Sequence, residues 1–440
     1  MWCRSPGSRE SLADCSFFSA DNERLIGAVY YIRDSDKFAY ILLARDKFER
    51  YQGFDNRGVF PTARAAERAI VKRLSALEKE PTPEVPMRSD TRKGVDLFAK
   101  LSRAKLNPKF IGLKDTRNSS AAREILREIA HWVVDLDGNL VRDFQTAGFD
   151  ARVWELYLHT AFRAMDFGFD RSAATPDFRL LRDDARVFVE AVTANPTDGT
   201  EYNIKEKPPD PPEDYWRYIE HDMPQKFGSP LISKVRKRYW EQADVSGHPL
   251  VLAIADFHAP ASMTWSRPAL PFYLYGIGVD VGEGSGGDRP PSVKQLKEHV
   301  VGSKKVPANF FAQPDVHNVS AVLYSNAGTI AKFNRMGVLA GFGDPEVSLL
   351  RQGGFEDLTP GAVKPTFFEL NIEDPAYREG WADEIEIFHN PNAAVPLPKE
   401  LFPNVKHFFV DENGEVVWRS TADPPHILFS NTISRAPRSE

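Results

Sequence analysis

Glu155, Asp177 and Glu190 are the residues of this sequence best suited to chemistry. Hydrolysis of a phosphodiester needs a hard cation held by oxygen ligands, with positions left open for water and a phosphate oxygen. Carboxylates gathered at the edge of a sheet meet that need. Downstream, Lys234 and Lys237 alternate with Arg236 and Arg238. Taken singly, each residue has a plainer reading. Glu155 is then a surface glutamate, Asp177 after Pro176 is turn chemistry, Glu190 pairs with an arginine, and the lysines belong to a solvated helix face.

The elements that must position these groups are legible from period. Residues 151 to 165 read as a helix with Trp154, Leu158, Ala161 and Met165 on one face and Glu155 inside an otherwise apolar run. Pro176-Asp177 opens a strand from Phe178 to Leu181, and a turn at Arg182-Asp183-Asp184 leads into a second strand from Arg186 to Thr193. In that second strand Val187, Val189 and Ala191 alternate with Phe188, Glu190 and Val192, so it is apolar on both faces and belongs in the middle of a sheet. A charge at Glu190 is costly there unless it is paired or bound to metal. Ser229-Pro230 reads as a helix start, with Leu231, Val235 and Tyr239 in one stripe. Leu250 to Phe257 reads as another buried strand, with Asp256 near its end.

A helix carrying Glu155, a Pro-Asp leading a strand and an acid in the next strand resembles the PD-(D/E)xK nuclease superfamily, the fold of many restriction endonucleases and Holliday-junction resolvases. In that pattern the three acids hold Mg²⁺ and a lysine two residues after the strand acid polarises water. The resemblance covers roughly residues 145 to 260. It implies that Glu155, Asp177 and Glu190 bind Mg²⁺ or Mn²⁺ and that the chain is a metal-dependent nuclease acting on nucleic acid, DNA favoured over RNA. This sequence departs from the pattern at Val192, where the lysine is expected. In several branches of the superfamily a helix between such strands supplies it. That places Lys234 or Lys237 in the role, ahead of Lys205 and Lys207 in a Pro-rich loop, with Arg236 and Arg238 on phosphates. The alternative is a catalytically inactive nuclease-like fold that binds nucleic acid or protein, and a second is an interaction protein whose buried carboxylates pair with arginines.

Composition sets outer bounds. The chain has 440 residues, 42% hydrophobic and 27% charged, which suits a globular protein with room for two or three domains. A formal net charge of -6 means that a nucleic-acid partner must be held by a local basic stripe and not by the whole surface field. Only two cysteines, Cys3 and Cys15, are present. They can build neither a disulfide framework nor a cysteine-based zinc site, and a reducing cytoplasm is the economical inference. No run approaches a membrane span, so no membrane partner is expected; a homodimer is allowed.

The expected fold is α+β (α/β), a mixed sheet flanked by helices. Residues 1–93 form an N-terminal ββ(β)α unit and linker: a loose lead to residue 20, strands from Leu25 to Ile32 and Phe38 to Ala44, a third near Tyr51, then a helix after Pro61-Thr62. Residues 94–145 form a helical connector, 146–265 the nuclease-like core, and 266–440 an extension whose strands complete or cover the sheet. Five further features have a functional reading no stronger than a structural one. These are Arg45-Asp46-Lys47 at a strand end, Tyr215-Trp216-Arg217-Tyr218 as a stacking surface, and His258 beyond the strand end. The glycines of 282–287 are a weak shadow of a phosphate loop, and Ser325 to Thr329 could meet an anion at a strand-to-helix turn. That last turn leads into a helix expected to end before Gly337.

Overall fold

The computed structural model describes residues 12–20, 23–81, 85, 94–101, 105–196, 212–280, 292–359, 364–420 and 426–435. The prolines and lysines of the 197–211 loop and the glycines of 282–287 lie outside them. Near the N-terminus, β1 (Leu12–Ala20), β2 (Leu25–Ile32), β3 (Lys37–Arg45) and β4 (Tyr51–Phe60) form an antiparallel sheet in sequence order. Helix α1 (Ala63–Leu77), capped by the Thr62 side chain, buries Ala66, Ile70, Leu74 and Leu77 against it. The expected loose lead is corrected here: residues 12–20 are a strand, because Leu12 to Ala20 pair with β2 along its length. Arg45, at the end of β3, forks onto Glu128 at 2.7 Å.

The connector comprises α2 (Pro108–Asp115), α3 (Ser120–Ala130) and α4 (Leu140–Gln145), followed by α5 (Phe149–Ala164). Then come β5 (Gly168–Phe169), β6 (Phe178–Arg182), β7 (Ala185–Ala194), α6 (Pro212–Arg217), α7 (Met223–Val235) and β8 (Leu250–Asp256). Beyond them lie α8 (Ala269–Tyr275), two small hairpins of β9 (Ile277–Asp280) with β10 (Ser292–Gln295) and β11 (Glu298–Val301) with β12 (Lys304–Pro307), β13 (Ala321–Ser325) and α9 (Ile330–Leu339). The chain ends with β14 (Ser348–Phe355), β15 (Thr366–Asn371), β16 (Ile385–His389), β17 (Lys406–Val410), β18 (Val416–Ser420) and β19 (Ile427–Arg435).

Eight of these strands build one mixed sheet in the order β18-β17-β16-β13-β8-β7-β6-β5. β5, β6 and β7 form an antiparallel meander, whereas β7, β8 and β13 run parallel. Every residue of β8 is buried, as expected of a parallel strand covered on both faces. The strands of 266–440 thus complete the sheet begun by the 146–265 segment. β14, β15 and β19 form a separate three-stranded sheet.

Alternation along β7 divides two cores. Val187, Val189 and Ala191 face α5, whose Trp154, Leu158 and Ala161 are fully buried. Val192 and Ala194 face α7 and α8. Trp154 anchors α5 to the sheet by donating its indole N–H to the Ala253 carbonyl at 3.0 Å and stacking on Tyr157. Two expected boundaries move. α7 begins at Met223, not at Ser229, because Met223, Phe227, Leu231 and Val235 form one buried stripe that continues past Pro230. α9 runs through Gly337 to Leu339, because that glycine is where α3 and α9 touch: a Cβ there would lie 2.4 Å from the Ala121 carbonyl oxygen.

Candidate functional site

Glu190 sits at the middle of β7, opposite Leu252 of β8, and is 2% exposed. An unpaired carboxylate in that position would be untenable. The fold supplies three donors. Lys234, in the last turn of α7, places Nζ 2.5 Å from Oε1; the Tyr239 hydroxyl donates to the same oxygen at 2.5 Å; and the Asp177 backbone N–H reaches Oε2 at 3.3 Å. Asp177 immediately precedes β6, so the β6/β7 register that pairs Phe178 with Val189 sets it beside Glu190. Its own Oδ2 accepts the Ala191 N–H at 2.8 Å. The chain before it is tied down by Arg179, which donates to the Thr175 carbonyl at 2.7 Å and to the Asp244 carboxylate.

Glu155 approaches from α5 on the other face of the sheet. Its Oε2 accepts from Arg152 at 2.7 Å, while Arg152 also reaches Asp143 at 2.9 Å. Between Glu155 and Asp177 opens a cavity of about 130 Å³, walled also by Asp135, Asp137, His159 and Arg171. Asp177 is exposed and lines this cavity.

The charges in this neighbourhood act on one another. Desolvation, then the charge of Glu190, then that of Glu155 push the Asp177 carboxyl up to about 8, against the Ala191 N–H and Lys234. Burial also raises the Glu155 carboxyl above its ordinary value in spite of Arg152 and Lys234. Acids this close together raise one another's pKa, a repulsion that a cation would relieve. The donor set, carboxylate oxygen throughout, fits a hard divalent cation. Among the described residues, no three His, Cys, Asp or Glu side chains are already gathered closely enough to hold one. Asp177 and Glu190 are neighbours, whereas Glu155 is turned to Arg152.

Of the two expected lysines, the fold brings only Lys234 to the acids. α7 ends at Val235, so Lys237 falls beyond the helix, exposed, with Nζ 5.9 Å above the Tyr239 ring. Arg236 and Arg238 are exposed on the same turn, and Arg238 pairs with Glu241 at 2.8 Å. Tyr239, Arg152 and Arg179 were not singled out as site residues from sequence. Arg152 had a readable signal, its spacing of three from Glu155, but Tyr239 looked like one more apolar stripe residue.

The weaker candidates resolve toward structure. His258 is fully buried with Nδ1 2.7 Å from Asp256 Oδ1, and that carboxylate also takes the Ser266 hydroxyl at 2.5 Å. Tyr215 donates to the Trp265 carbonyl at 3.2 Å, and Trp216 packs on Phe272. In the Ser325 to Thr329 turn, Ser325 bonds Tyr157 at 3.0 Å, Asn326 holds the Leu428 carbonyl at 2.9 Å, and Gly328 makes room for Trp154.

Among the described residues no helix is long and apolar enough to cross a membrane. Set against family models, curated proteins and solved structures, the chain gives no match.

Proposed function

We propose that this protein is a metal-dependent nuclease related to the PD-(D/E)xK superfamily, hydrolysing phosphodiester bonds of nucleic acid, DNA before RNA. The observation that carries the reading is Lys234 Nζ at 2.5 Å from Glu190 Oε1, with the Asp177 N–H on the other oxygen. A helix lysine thereby stands where the strand offers Val192. The order α5, β5-β6-β7 meander, α7 and then β8 parallel to β7 supports the same reading: Glu155 and Asp177 line one cavity, and Glu190 lies beside Asp177.

In this reading Asp177 and Glu190 would hold Mg²⁺ or Mn²⁺, with Glu155 as a third acid that Arg152 now pairs. The cation, when bound, neutralises phosphate charge and makes water more acidic. Lys234 orients the attacking water from the α7 side. Desolvation of Glu190 keeps that ammonium close, and the two lie within one hydrogen bond. Arg236 and Arg238, exposed on the turn that follows, meet phosphates without reading sequence.

A second reading, an inactive fold used for binding, is favoured by one observation: Glu155 and Glu190 already carry cationic partners. One experiment separates the two. Supercoiled plasmid and single-stranded DNA are incubated with protein and Mn²⁺, with Glu190→Ala alongside. Mn²⁺-dependent cleavage that is lost in Glu190→Ala supports the nuclease. DNA binding without cleavage at any Mn²⁺ concentration supports the binding module.

A further inference from the structure

We infer that Tyr239 is a positioning residue that sets the orientation of the Glu190 carboxylate for a divalent cation; this rests on the function proposed above. Tyr239 and Lys234 come from opposite sides of a chain reversal. α7 ends, Arg238 takes a left-handed conformation at φ 51°, and the chain turns back so that Tyr239 lies over β7. The reversal lets two side chains five positions apart converge on one oxygen, both at 2.5 Å. The phenol ring is held independently of that bond. It is 3% exposed and packs with Phe188, Val245 and Leu250, the residues that close the sheet beneath the turn. A ring fixed by packing and a hydroxyl fixed by the ring make a rigid donor, unlike the flexible lysine stem beside it.

The consequence is directional. Oε1 is already shared by two donors, one charged and one rigid, so the carboxylate cannot rotate without breaking both. Oε2 is then the oxygen turned toward Asp177, whose N–H lies at 3.3 Å. Glu190 would therefore present Oε2, in a preset orientation, to a cation held beside Asp177. Partners of this kind, which bond to a ligand and not to the metal, are worth about 10–100-fold in metal affinity.

The test is Tyr239→Phe, which removes the hydroxyl and keeps the ring. Mn²⁺ binding is measured by titration calorimetry on the full chain, and thermal unfolding is followed in the absence of metal. Tyr273→Phe serves as the comparison, since that tyrosine is fully buried in a different core cluster from Tyr239. The expected result is a Kd for Mn²⁺ raised about 10–100-fold in Tyr239→Phe and unchanged in Tyr273→Phe, with Tyr239→Phe still unfolding cooperatively. Mn²⁺ binding in Tyr239→Phe equal to that of the unaltered chain, while Glu190→Gln has lost it, overturns the role of Tyr239 and leaves the proposed function standing. Binding that is indifferent to Glu190→Gln, or no binding by the unaltered chain, overturns both.

Discussion

Replacing Lys234 with methionine separates the two jobs that the structure gives to one side chain. The stem of methionine fills much of the same space, so the change is chiefly the loss of the ammonium at 2.5 Å from Glu190 Oε1. Breaking a fully buried ion pair by removing one partner costs about 3–5 kcal/mol. Here Glu190 is 3% exposed but Lys234 is 23% exposed, so water reaches the cation. Tyr239 and the Asp177 N–H also continue to solvate the carboxylate. The cost to stability therefore falls to about 2 kcal/mol, within reach of a chemical denaturation curve. Adding Glu190→Gln removes the stranded charge, so the double variant recovers part of that loss, a coupling of about 1–2 kcal/mol. Catalysis responds on another scale. If Lys234 orients the water, kcat for Mn²⁺-dependent plasmid cleavage falls by about 100-fold or more in Lys234→Met. Lys237→Met, exposed and away from the acids, stays within about threefold of the unaltered chain. The reasoning is refuted by a folded Lys234→Met that cleaves as fast as Lys237→Met.

Three other outcomes are expected. Arg236→Ala with Arg238→Ala weakens DNA binding across sequences alike and flattens the dependence of log K on log salt by about 1–2; an unchanged slope removes these residues from the interface. In Gly328→Ala the new Cβ would lie 2.3 Å from Cε3 of Trp154, an indole pinned at both ends. The variant loses about 1–3 kcal/mol in urea denaturation, whereas Gly112→Ala, in open space on α2, loses nothing. Finally, burial and the neighbouring His407 hold the His389 imidazole down at about 3, with its Nε2 2.9 Å from His407 Nδ1. A histidine depressed on folding binds fewer protons folded than unfolded, so its contribution is complete above about 6.5 and is lost as pH falls from there toward 3. Between pH 7 and 4.5 the unaltered chain should lose about 2–3 kcal/mol more than His389→Gln; parallel pH profiles would show that His389 does not titrate with unfolding.

The amino-acid sequence determined the local elements around the site. The periods of residues 151–165 and 186–193 point to a helix and a doubly buried strand, and Pro176-Asp177 reads as a strand entrance. Those are constraints of backbone geometry and apolar spacing, which act within a dozen residues. Likewise, a carboxylate at Glu190 between Val189 and Ala191 demanded a partner whatever the tertiary arrangement. What the sequence left open was which partner. Lys234 and Lys237 were equivalent until α7 stopped at Val235 and turned one inward and the other to solvent. Tyr239 joined the site only because the reversal at Arg238 laid it over β7. The start of α7 was hidden for a related reason: Pro230 reads locally as a helix beginning, and only the stripe from Met223 to Val235, buried against the sheet, outweighs it. Side-chain convergence depends on where a helix ends relative to a neighbouring strand. That distance is set by packing among segments far apart in the chain, and no short-range pattern encodes it.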